Sequence, residues 1–312
     1  MTPIEPPMRA INCTATLPDV VAGYVRESLA ENTRRAYLSD LAQFEAWGGA
    51  IPASPEILAR YLAEHAGTLS VATLARRVAS LAKVHRARGL PDPAGAELVR
   101  ATLGGIKRMK GIAQREAQPL LRDDLLQVLD TTGDTLRDVR DRALLLVGFA
   151  GGFRRSELVG LDSDDVQPMR QGLVLTVRRS KTDQEGAGRK IAIPHGRTRW
   201  CPVTALEAWR SRAGIESGPL FRPVSRHGRV EAARLSGDAV SMIVKERVGA
   251  VGLDPARYSG HSLRAGLATS AAQAGVSSHK IRAQTGHASE AMLGRYIRDG
   301  QLFTGNAAGA LL

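Results

Sequence analysis

Residues 259–281 read SGHSLRAGLATSAAQAGVSSHKI, and 294–299 read GRYIRD. His261 and Arg264 stand three residues apart where a helix starts, so one helical face carries both. The free N–H groups and positive end of such a helix suit an anion. Gly286-His287 comes next, and Tyr296 follows nine residues after the histidine. Ser289 is placed to cap the intervening helix, whose one side carries Met292, Leu293, Tyr296 and Ile297. Taken singly, these residues also fit a capping histidine, a surface arginine and a core aromatic. A phenol is equally a potential nucleophile toward phosphorus, and neighbouring cations lower its ordinary pKa of ~10.

Upstream, residues 151–161 read GGFRRSELVGL. Gly151-Gly152 ends a helix over about 135–150, with Leu136, Val139, Ala143, Leu146 and Val147 at helical spacing. Arg154 and Glu157 then sit at i, i+3 on a short helix, where the carboxylate can hold the guanidinium in one rotamer or form a plain surface ion pair. Leu173–Val177 and Lys190–Ile193 read as two short strands joined by a polar, glycine-containing loop. Lys181 lies in the RSKT turn, 179–182, where the first strand gives way to that loop. Its ammonium is either a solubilising charge or a proton donor to a leaving oxygen. Helices follow at about 202–213, 237–249, 261–274, 277–285 and 289–298, so this part is mainly α with a small antiparallel sheet.

The first part shows only helix signals. Asn32 is placed to cap a helix carrying Tyr37, Leu38, Leu41 and Phe44, and Ser54-Pro55 opens another. Ser70 opens a third, with Leu74, Val78, Leu81 and Val84 in register and Gly89 as the stop. A fourth runs from about Gly95 to Met109. The expected organisation is a short N-terminal tail at 1–14, an all-α domain at 15–105, a basic linker at 106–118 and a second domain at 119–312.

Composition narrows the partner. The chain has 312 residues, 43 Lys+Arg against 31 Asp+Glu, and a net charge of +12. Residues 76–115 hold ten of the basic groups against Asp92 and Glu97 alone. Arg76, Arg77, Lys83, Arg86, Arg88, Lys107, Arg108 and Lys110 in that run are candidate nucleic-acid contacts, because phosphates are met by clustered Lys and Arg. Direct base reading is expected from the helix between Ser70 and Gly89 and from residues around Ser236–Lys245. No run of 18 apolar residues exists and the N-terminus has no apolar signal core, so the expected compartment is the cytoplasm, or wherever the cell keeps its DNA. The charge alone allows nucleic acid, a ribosome or an acidic membrane as partner. Cys13 and Cys201 make neither a disulfide framework nor a thiolate cluster. No GxxxxGK[ST], HExxH or CxxC pattern occurs, so neither a metal nor another cofactor is expected. Phosphoryl chemistry would then rest on Arg, Lys and His.

The order Arg…Lys…His-x-x-Arg…Gly-His…Tyr resembles the tyrosine recombinase (phage integrase) family over nearly the whole chain, most specifically from about 120 to 300. The resemblance implies an all-α core-binding domain and a catalytic domain that together close as a C-shaped clamp on duplex DNA. It implies that Tyr296 is the nucleophile forming a 3′-phosphotyrosyl link, and that Arg154 and Arg264 clamp the non-bridging oxygens. Lys181 would protonate the departing 5′ oxygen, His261 would handle protons at the phosphate, and His287 would hydrogen-bond it. Glu157 fits the acidic support of the first arginine. The resemblance further implies a homotetramer on two DNA sites, assembled from monomers, with no membrane partner and with a C-terminal segment that docks on a neighbour. The sixteen residues after Tyr296, ending NAAGALL, are apolar enough for that docking or form a loose end. A type IB-like topoisomerase and a non-catalytic architectural DNA-binding protein are the alternatives.

Overall fold

A computed structural model of the chain describes residues 31–111, 117–178, 188–287 and 289–300. The expected tail at 1–14, residues 112–116 of the expected linker, Lys181 and residues 301–312 of the expected docking segment lie outside the described residues. The chain divides into two compact units, Met1–Arg115 and Glu116–Leu312.

The first unit contains α1 (Glu31–Ala46), α2 (Pro55–His65), α3 (Val71–Ala87) and α4 (Glu97–Lys110). Ser54 caps α2, its hydroxyl accepting from the Ile57 amide, and Ser70 caps α3 by accepting from Thr73 at 3.1 Å. Asn32 lies inside the first turn of α1 rather than ahead of it. Helix α1 packs on α3, and α2 and α3 both pack on α4. Their apolar stripes meet in a core of Phe44, Leu58, Tyr61, Leu62, Leu74, Leu81, Val84 and Val99. The side chain of His85, buried on α3, ties the loop before α2 to this core, its Nε2 accepting from the Ala53 amide at 2.9 Å.

Helix α4 continues to Lys110, and Ile106 is buried in the same core. The first five residues of the expected linker are therefore helical. The basic run around Ile106 disguised its place on the apolar stripe.

The second unit is helical around one small sheet. It contains α5 (Arg122–Asp130), α6 (Leu136–Gly151), α7 (Arg155–Gly160), β1 (Val166–Met169), β2 (Gly172–Val177) and β3 (Arg189–Pro194). Helices α8 (Pro202–Arg212), α9 (Gly237–Gly249), α10 (Ser262–Gln273), α11 (Ser278–Thr285) and α12 (Glu290–Gly300) complete it. The sheet has three antiparallel strands in the order β1-β2-β3, with Leu175 opposite Ile191 and Leu173 opposite Ile193. The sequence signals gave only the last two strands. β1 carries Pro168, and three of its four residues are exposed, so it lacks the alternation that marks a half-buried strand. Helix α5 likewise went unread.

Helix α6 is the hub of this unit. It packs on α8, α10 and β3, and Leu144, Leu145 and Val147 are wholly buried. Buried charges fix α9 against it. Asp141, with no exposed surface, accepts from Arg140 through one oxygen and from Arg247 through the other, the shorter contact in each case being 2.6 Å. At the end of α6, Gly152 takes a left-handed conformation with φ 57°. A Cβ there would come 2.8 Å from Leu267 and 2.9 Å from the methyl group of Thr285, so glycine lets the α6–α7 turn lie directly on α10 and α11.

Candidate active site

The site forms where the α6–α7 turn, the N-terminus of α10, the end of α11 and the face of α12 meet. Arg154 occupies the N-cap position of α7. Its amide donates to Glu157 Oε2 at 3.0 Å, its Nη1 donates to Oε1 at 2.6 Å, and its Nη2 donates to the Gly286 carbonyl at 3.2 Å. The i, i+3 pair read from sequence is therefore a buried ion pair, since the Glu157 side chain has no exposed surface. Burial, and the anchoring of the same carboxylate by the Arg154 amide, make it much stiffer than a surface pair.

Arg264, on the first turn of α10, is 1% exposed. Its Nη1 donates to the carbonyls of Gly152, at 2.8 Å, and Thr285. A guanidinium has five N–H donors, so these contacts anchor the fork while engaging only part of it. Burial first, and Arg154 second, push its pKa down to about 10, which leaves it charged at neutral pH.

His261 is the N-cap residue of α10, and its Nε2 lies 2.8 Å from the Tyr296 hydroxyl. The ring keeps an exposed edge. Exclusion of water by its packed side, followed by Arg264, Arg154 and Arg155, holds its pKa below the ordinary histidine value. His287 is 6% exposed, and its ring centroid is 5.7 Å from that of Tyr296. Burial, then Arg264 and Arg154, push its pKa down to about 3. Both imidazoles are thus neutral proton acceptors at pH 7.

Tyr296 reaches this point because Leu293, one turn earlier on α12, is buried against Ala268, Ala272 and Ile281. Five of the six expected catalytic residues, together with Glu157, are brought together here. Lys181 is outside the described residues.

Two residues that sequence reasoning missed complete the surround. Arg189, the first residue of β3, donates from Nη2 to Glu157 Oε2 at 3.0 Å and from Nη1 to the Gln284 carbonyl at 2.9 Å. It shares strand parity with buried Ile191 and Ile193, and an arginine on the buried face of a strand is the signal that could have found it. Gly286, at φ 67°, lies flat on that guanidinium, where a Cβ would approach to 2.8 Å. Thr285 is the second, a wholly buried polar residue one turn after Ile281 on the apolar side of α11.

The basic candidates in the first unit divide. Lys83, Arg86, Arg88, Lys107, Arg108 and Lys110 are exposed, with Lys110 Nζ contacting the Ala66 and Leu69 carbonyls and Arg86 3.8 Å from Asp92. Arg76 is exposed as well and pairs with buried Asp40 at 2.6 Å. Arg77 is corrected: it is 6% exposed, and its fork is closed by the Tyr61 hydroxyl and Gln43 beside buried Asp40. Consecutive helical residues point about 100° apart, and here that rotation turns Arg77 into the core.

The phage integrase family profile matches residues 118–301. An integrase/recombinase XerD homologue from Selenomonas ruminantium is 40% identical over 293 residues, covering 91% of this chain and 86% of the relative.

The chain belongs to the phage integrase family.

Membership makes it a tyrosine-type site-specific recombinase, an enzyme that breaks and rejoins DNA. Another relative in the family, the Cre recombinase of Escherichia phage P1, is 28% identical over 88% of this chain and 86% of its own. That identity is below the 40% to the XerD homologue. Among solved structures, a lambda integrase dimer bound to a COC′ core site shares the fold with a TM-score of 0.64 at 19% identity, over 87% of this chain and 90% of that one. XerH recombinase in a post-cleavage complex with its difH substrate gives 0.60, also at 19% identity, over 87% and 76%.

Proposed function

We propose that Tyr296 attacks the scissile phosphate of duplex DNA and becomes joined to its 3′ side. The phenol oxygen forms the new bond to phosphorus as the bond to the 5′ oxygen breaks. The phenol proton passes to Nε2 of His261, and Lys181 supplies a proton to the departing oxygen. Arg154 and Arg264 hold the non-bridging oxygens and offset the charge that builds on them, and His287 hydrogen-bonds the same phosphate. Because the phosphotyrosine keeps the bond energy, the released 5′ hydroxyl of another strand can reverse the step without ATP. The observation that carries this reading is the 2.8 Å contact between His261 Nε2 and the Tyr296 hydroxyl, beside two anchored arginines.

The first unit serves in this reading as the DNA-binding domain, with Lys83, Arg86, Arg88, Lys107, Arg108 and Lys110 on phosphates. Monomers assemble as a homotetramer on two sites in the DNA-containing compartment of the cell. The positive run over 76–115 supports the DNA contact through its charge alone.

The test begins with a library of nicked duplexes from which covalently captured DNA is recovered and sequenced. Two copies of the recovered site are then placed on a supercoiled plasmid. Recombined products support the proposal. Relaxation without exchange indicates a topoisomerase, and binding without any covalent adduct indicates an architectural protein.

A further inference from the structure

Thr285 joins two parts of the site. Its carbonyl accepts from Arg264 Nη1, and its side chain lies between the backbone of α11 and the ring of His287. The hydroxyl oxygen is 2.7 Å from the Ile281 carbonyl, to which it donates, and 2.7 Å from His287 Nδ1. A threonine hydroxyl has one proton and two lone pairs. A proton given to the carbonyl one turn back, a common arrangement for threonine in helices, leaves the oxygen able only to accept from the ring.

We infer that Thr285 is a positioning residue: it holds His287 in the tautomer protonated at Nδ1, so that Nε2 is the nitrogen presented to the reacting groups. In that state His287 enters the reaction as a proton acceptor. It becomes a donor to the phosphate only after taking up a second proton, which the approach of the phosphate anion favours against the surrounding Arg264, Arg154 and Arg189. The side chain has no freedom to serve otherwise, because its methyl group is also wedged against the Gly152 turn. Threonine meets the demand with one residue, filling the apolar gap and fixing the ring. The inference rests on the proposed role of His287 at the phosphate.

The test is a cycle of variants read by single-turnover cleavage of a nicked suicide duplex. Thr285→Val keeps the shape and removes the hydroxyl, and Thr285→Ser keeps the hydroxyl. The valine variant should cleave roughly tenfold or more slowly, within the range seen when a group orienting a functional histidine is lost. The serine variant should stay within about threefold of the parent, and Thr285→Val should add nothing in a His287→Phe background. An undiminished valine effect in that background, or no rescue by serine, overturns the inference. Nitrogen-15 histidine spectra of the unmutated protein test the tautomer without depending on how variants fold. The His287 resonances, identified by their loss in His287→Phe, should show protonation at Nδ1, and protonation at Nε2 instead would overturn it. Should the parent form no covalent adduct, the assignment of Tyr296 fails, whereas the spectra still decide what Thr285 does to the ring.

Discussion

His261 Nε2 and the Tyr296 hydroxyl stand 2.8 Å apart, within direct proton-transfer distance. The pair joins an N-cap residue of α10 to the partly buried, apolar side of α12, two elements held together by the buried Leu293–Ala268–Ala272 contact. Replacing His261 by Gln should therefore slow single-turnover cleavage by about 10²-fold or more, the usual worth of a positioned base, with DNA affinity little changed. Band-shift titration beside a cleavage time course checks both halves.

The buried carboxylate of Glu157 serves two cations, Arg154 and Arg189. Glu157→Gln leaves both guanidiniums without their counter-charge, and removing one member of a buried ionic group costs about 3 kcal/mol or more. Chemical denaturation of the second unit should show that loss, and cleavage should fall with it because Arg154 is no longer held. Arg189→Met should lower cleavage in the same direction, through Glu157 rather than through DNA contact.

Acid should weaken the second unit through His287. Its folded pKa of about 3 lies below the ordinary histidine value, so the unfolded chain binds more protons between those limits. Stability from this group is complete above roughly pH 6.5 and declines as pH falls, by about 2 kcal/mol between pH 7 and pH 5. Thermal melts of DNA-free protein across that range should show the drop, and His287→Gln should flatten it.

The two kinds of basic residue on α3 should separate cleanly. Lys83→Gln should weaken DNA binding and reduce the slope of log affinity against log salt by about 1, with no change in melting. Arg77→Met should instead destabilise the first unit by about 2 kcal/mol, the scale of lost hydrogen bonds to a charged group.

Much of this was legible in the chain. The serines ahead of α2 and α3 marked their starts because a capping hydroxyl leaves a local signature, and the ordered cations with Tyr296 pointed to the site. What stayed hidden was set by tertiary partners. Arg77 and Arg76 look alike in a basic run, and only Asp40, Gln43 and Tyr61 on other helices decide that one turns inward. Ile106 was masked by its basic neighbours, and β1 by Pro168 and its exposure. Arg189 and Thr285 are polar residues on buried faces, whose use depends on Glu157 and His287 far away in sequence or around a turn.

Everything proposed for this site turns on Tyr296 making the covalent bond to DNA, and peptide mapping of the trapped adduct tests it most directly. Protein is incubated with a suicide duplex carrying the recovered site, digested, and the nucleotide-bearing peptide is sequenced by mass spectrometry. The predicted result is one modified peptide, linked through Tyr296 to a 3′ phosphate and absent from Tyr296→Phe, which still binds the duplex. A 5′ linkage, attachment at another residue, or an adduct that persists in the phenylalanine variant would rule out Tyr296 as the nucleophile.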